Sequence, residues 1–94
     1  MEMRILQLKK DKTRQYGFMS HEFASENGFD LNDYDSVWEE NIDSDTNLDD
    51  IWTRFQHENE DCPENYHGRS MSVSDIIDLE GHLFYCEPTG WKEL

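Results

Sequence analysis

The chain predicts an α+β domain: a small antiparallel sheet with one main amphipathic helix and one short helix. Three observations carry that reading: an apolar run at the N-terminus, one helical stripe in mid-chain, and a C-terminal third of short apolar segments separated by turn residues. A length of 94 residues sets one domain, 1–94, with room for a modest core.

Met3, Ile5, Leu6 and Leu8 are interrupted only by Arg4 and Gln7, which fits a mostly buried strand better than a cleanly alternating one. The basic group Lys9, Lys10, Lys12 and Arg14 follows and reads as a solvated turn, the alternative being an internal seat for acidic side chains further on. Ser20 is placed to cap a short helix through Glu26, with Asn27-Gly28 as its stop and Phe23 as its expected core contact. Tyr34 to Glu39 alternates as a strand with Trp38 pointing inward. Leu48, Ile51, Trp52 and Phe55 then fall at i, i+3, i+4 and i+7, the stripe of the main helix, with Thr46 or Asp45 as cap and Asp49 and Asp50 at the positive end of its dipole. Gln56 to Tyr66, polar and containing Pro63, predicts an exposed loop. Beyond it, Ile76, Ile77 and Leu79, a turn at Glu80-Gly81-His82, the strand Leu83 to Cys86, and a second turn from Pro88 to Gly90 before Trp91 predict a small meander.

Charge is the strongest functional signal. Fifteen of the 22 carboxylates lie between Glu22 and Glu64 with Arg54 as the only Lys or Arg among them, so this segment alone carries the chain's net charge of −14. Residues 1 to 14 sum to +3 and the remainder to −17. Self-repulsion on this scale costs folding free energy and points to a positive partner; it excludes bare nucleic acid and anionic membrane as the leading ligands. Twelve aromatic residues argue against a disordered acidic tail. With no long apolar stretch, the expected location is the cytoplasm.

Catalytic and metal chemistry find little support. His21, His57, His67 and His82 stand beside no nucleophile elbow, phosphate-binding glycine loop or HExxH pattern, so they read as surface histidines. Cys62 and Cys86 form no close pair and are expected to be free thiols; the competing arrangements are a disulfide and a zinc set with His57 and His67. Asp43, Asp45 and Asn47 imitate the start of an EF-hand loop. However, Leu48 replaces the required glycine and Arg54 the closing glutamate, so no metal or other cofactor is expected. The sharper hypothesis is phosphate mimicry, in which Asp33, Asp35, Glu39, Glu40, Asp43, Asp45, Asp49 and Asp50 meet the spaced Lys and Arg of a protein that grips nucleic acid. Its rival is an acidic face that serves only solubility.

Asn47 to Phe55, Pro63 to Ser70, Ser72 to Ile77, and Tyr85-Cys86 with Gly90-Trp91 resemble the YodL-like domain, most specifically over Gly68 to Asp75. Leu6 to Lys9 and Tyr34 to Trp38 match its opening strands more loosely, and Trp91 stands where the pattern has Phe. The resemblance implies a small α+β domain of mobile genetic elements, often attached to proteins of conjugation and defence evasion, and implies no catalytic residues. Arg69, Ser70, Ser72 and Asp75 are then expected to build a turn whose side chains satisfy backbone groups. The functional expectation is a non-enzymatic inhibitor of anti-CRISPR or antirestriction type, a DNA mimic that blocks the basic surface of a host defence protein such as a nuclease. The alternative is an interaction module acting through an apolar patch around Trp38 or Trp91.

Overall fold

A computed structural model describes residues 1–94. Five strands form one antiparallel sheet: β1 (Glu2–Leu8), β2 (Tyr34–Asn41), β3 (Ile76–Leu79), β4 (His82–Cys86) and β5 (Trp91–Glu93), in the spatial order β2-β1-β3-β4-β5. Three short helices, α1 (Thr13–Tyr16), α2 (His21–Glu26) and α3 (Leu48–Arg54), complete the fold.

The interrupted run in β1 is explained by burial on both faces. Side chains alternate across the sheet: Met3 and Ile5 join Ile77 on one face, where Ile51, Phe55, Tyr66 and Met71 cover them. Leu8 joins Ile76, Tyr34 and Tyr85 on the other, beneath Tyr16 of α1 and Ala24 of α2. The first core belongs to α3 and the loop after it; the second belongs to the segment between β1 and β2. Phe29 closes the second core, meeting Tyr16, His21, Tyr34 and Tyr85 edge-on at centroid distances of 5.1 to 5.9 Å.

β1 lies between β2 and β3, and its register with β2 shifts between Ile5 and Leu6, opposite Trp38 and Ser36. Val37 is the extra residue of this bulge, which lets Val37 and Trp38, neighbours in sequence, both pack on the α3 side. Trp38 turns inward as expected, against Phe55 at 5.8 Å and Tyr66 at 6.0 Å. The β3–β4 hairpin pairs Leu79 with His82 across Glu80-Gly81, whose φ values of 53° and 90° give the left-handed turn that matches strand twist.

The expected dominant helix requires correction. α3 has seven residues, α2 six and α1 four, so no helix is the main one. The stripe of α3 is only partly used: Ile51 and Phe55 are buried, Leu48 is partly buried, and Trp52 remains 37% exposed. Its cap is Asn47, which accepts from the Asp50 N–H, in place of Thr46 or Asp45. It ends where the expected loop begins, and the side-chain amides of Gln56 and Asn59 take the carbonyls of Trp52 and Thr53 in its last turn. A helix this short is marginal alone and depends on its cap and its two core residues.

α2 has the expected Ser20 cap, which accepts from the Phe23 N–H, and Gly28 follows its end at φ 89°. Its buried residue, however, is Ala24; Phe23 is 39% exposed. The ring of His21 lies on Tyr85 and Phe29, so the inward line of the helix runs through positions 21 and 24 and carries Phe23 outward. The expected basic turn contains α1, with Tyr16 buried below it. No helix is long and apolar enough to cross a membrane.

Candidate functional site

Two polar assemblies stand out, an acidic surface and a buried network. The acidic surface is assembled from the edge strand β2, the β2–α3 connection and the first turn of α3. Asp43 and Asp45 lie exposed in the connection, and Asp49 and Asp50 lie exposed at the start of α3. Glu40, Asp43 and Asp50 line one shallow cavity with Arg54. Glu40 is committed internally: its Oε1 accepts from Arg54 Nη1 at 2.7 Å and from Trp38 Nε1 at 2.9 Å. Burial pushes this carboxyl up, but those two bonds and the guanidinium charge outweigh it and hold the carboxyl below the usual range.

Other members of the expected contact set also have internal partners. Asp33 accepts from the Tyr16 hydroxyl at 2.9 Å, and Asp49 from Trp91 Nε1 at 2.9 Å. Asp35 pairs in register with Gln7 and Glu39 with Arg4, so the two point to opposite sheet faces across the Val37 bulge. The structure therefore brings together Glu40, Asp43 and Asp50 and leaves Asp35 and Glu39 apart from them. Ion pairs occur only at Arg4–Asp78 and Arg54–Glu40, and His82 Nδ1 lies 3.3 Å from Glu93 Oε2. Among the fifteen carboxylates from Glu22 to Glu64, only Glu40 has a cation within reach.

The buried network explains the Gly68 to Asp75 run. Gln7, 2% exposed in β1, donates through Nε2 to the Arg69 carbonyl at 2.9 Å, Asp75 Oδ2 at 3.1 Å and the Tyr66 hydroxyl at 3.2 Å, and accepts from the Arg69 N–H at 2.9 Å. Asp75 Oδ2 also accepts from the Ser72 N–H at 2.8 Å. Ser70 Oγ accepts from the His57 N–H, and the Ser72 hydroxyl donates to the Ser70 carbonyl. Ser74, at φ 83°, accepts from the Phe18 N–H through its hydroxyl and from the Tyr34 hydroxyl through its carbonyl. These serines and Asp75 are structural, as their turn-forming residue types suggested. Gln7 was the missed member; its signal was a polar residue inside the apolar run of β1.

Asp75 is 1% exposed and its Oδ1 has no hydrogen-bond partner. Burial pushes its carboxyl up to about 7, against the lowering effect of the Ser72 and Gln7 donors. Cys86 is pushed up to about 11 by the same cause, and Tyr34, Tyr66 and Tyr85 are likewise raised by burial.

The histidines, cysteines and carboxylates do not gather into a group able to hold a metal ion, and Cys62 and Cys86 are free thiols. His21 lies 3.5 Å from Ser25 Oγ, at the limit of hydrogen bonding and on the surface of α2. Neither residue lines a cavity.

Fold and site together define a small acidic α+β domain whose two cores are joined by a polar network under the Gly68 to Asp75 turn. The family model of the YodL-like domain matches residues 2–94, and the chain belongs to that family. It matches no curated protein and no solved structure.

Proposed function

We propose that the chain is a non-enzymatic, cytoplasmic inhibitor from a mobile genetic element that blocks the basic nucleic-acid-binding surface of a host defence protein, in the manner of an anti-CRISPR or antirestriction protein. The observation that carries the reading is the engagement of Arg54 by Glu40. The only cation of the acidic segment is already neutralised inside the domain, so Asp43, Asp45 and Asp50 face outward without one. Such a surface accelerates encounter with a basic groove and competes for Lys and Arg that otherwise hold phosphates. The partner is then a basic protein, a nuclease being the leading kind.

The test is capture from host lysate at low and high salt with the triple variant Asp43→Lys, Asp45→Lys, Asp50→Lys, which spares the Asp49–Trp91 bond. Recovery of a basic nucleic-acid-binding protein at low salt, lost at high salt and in the variant, is the expected result. Equal capture by the variant refutes the mechanism.

A second reading, an interaction module using an apolar patch, gains from one observation. Trp38 and Trp91 are packed against the α3 core, whereas Phe18 and Met19, 52% and 46% exposed, sit on a loop fixed by Ser74 and by the Tyr85 hydroxyl, which donates to the Met19 carbonyl. Phe18 holds φ 65°, a conformation that costs free energy in a non-glycine residue. Under this reading Phe18→Ser abolishes a salt-resistant complex and leaves the fold intact.

A further inference from the structure

Cations of this acidic chain gather around one cleft. A cleft of about 260 Å³ between the end of β1, the edge of β2 and the loop before Ser70 is lined by Lys9, Lys10 and Arg69, with His67 beside them and Asp35 as its only carboxylate. In a chain of 22 carboxylates, none of these three cations has one within ion-pair distance. Three like charges around one cavity repel one another, and the free energy they store is released by an anion placed among them.

The base of the cleft is tied by hydrogen bonds. Gln7 and Tyr66 clamp the backbone of Arg69 through its N–H and its carbonyl, while its guanidinium makes only a 3.3 Å bond to the Leu8 carbonyl and keeps its remaining donors free. Lys9 is partly anchored through the Asn32 carbonyl at 3.1 Å, and Lys10 makes no side-chain hydrogen bond.

We propose that this cleft is a binding site for a small phosphate monoester. A guanidinium fork with two ammonium groups matches a compact dianion with several acceptor oxygens. The cavity suits a ligand of a few heavy atoms beyond the phosphate, and the net charge of −14 turns away polyanions such as nucleic acid while salt screens it for a small one. Asp35 at the rim opposes the phosphate and is suited to accept from a hydroxyl of the ester. The inference does not depend on the inhibitor reading, since it uses the opposite sign of charge.

The experiment is an amide NMR titration at fixed ionic strength with inorganic phosphate and glycerol phosphate as probes. Saturable shifts of residues 9, 10 and 67 to 69 are expected. Lys10→Gln, an exposed change that breaks no bond, should weaken binding about tenfold, and Arg69→Gln at least as much. Asp35→Asn should tighten inorganic phosphate, a gain that mere disruption of the loop does not produce. Linear, non-saturating shifts, equal binding by Lys10→Gln, or saturation by succinate at the same concentrations would overturn the assignment.

Discussion

Asp75→Asn isolates the electrostatic term of the buried network. Asparagine keeps an oxygen for the Ser72 and Gln7 donors but has no proton to lose. In the parent the carboxyl sits at about 7 against an ordinary 3.8, so the folded protein holds the proton more tightly than the unfolded chain. Stability from this group is full below about pH 4, falls as pH rises from about 4 to 7, and levels off above that. At about 1.4 kcal/mol per pH unit the full displacement is worth on the order of 4 kcal/mol, of which about 2 to 3 fall between pH 5 and 8. Of the groups facing Asp75, Arg69 keeps its charge, while Tyr34, Tyr66, Tyr85 and Cys86 are held neutral by burial. None of them titrates in this window. Urea unfolding of both proteins at pH 5, 6, 7 and 8 measures the effect, because groups common to both cancel in the difference. The parent should lose about 2 to 3 kcal/mol relative to Asp75→Asn from pH 5 to 8. A difference constant to within about 0.5 kcal/mol would mean that Asp75 titrates as an ordinary carboxylate and that burial is not what governs it.

Arg54→Met removes the main support of Glu40 and leaves burial opposed only by the Trp38 bond, so the Glu40 carboxyl should rise above its present position in a carbon-detected NMR titration; an unchanged value would assign the depression to Trp38 alone. Phe55→Ala should cost about 3 to 5 kcal/mol in chemical denaturation, because Phe55 is fully buried between Trp38 and Tyr66. A loss under about 1 kcal/mol would show that α3 is not tied to the core through this ring. Cys86, pushed up to about 11 by burial, should resist an aromatic disulfide reagent at pH 8 in the folded protein, whereas the half-buried Cys62 should react first. Equal rates would contradict the packing of β4.

What was legible in the sequence was local. The Ser20 cap, the Asn27-Gly28 stop, the Glu80-Gly81 turn and the meander after it are set by neighbours in the chain, and each is found where residue chemistry places it. The errors came where distant groups decide. Phe23 lost its core position because the sheet accepts His21 and Ala24, and α3 was overestimated as the main helix because Trp52, a quarter of its apolar stripe, finds no place in the core. Gln7 escaped notice because its partners Tyr66 and Asp75 lie 59 and 68 positions away. The acidic surface shows the same division. Its total charge is a matter of counting, but only tertiary structure reveals that Asp33, Glu40 and Asp49 are tied to Tyr16, Arg54 and Trp91. Reversing those three removes hydrogen bonds as well as charge, so loss of binding in such variants would be ambiguous. Asp43, Asp45 and Asp50 make no such side-chain bonds, so their reversal breaks none; Asp43 and Asp45, outside α3, read the surface field free of the helix dipole that Asp50 also serves.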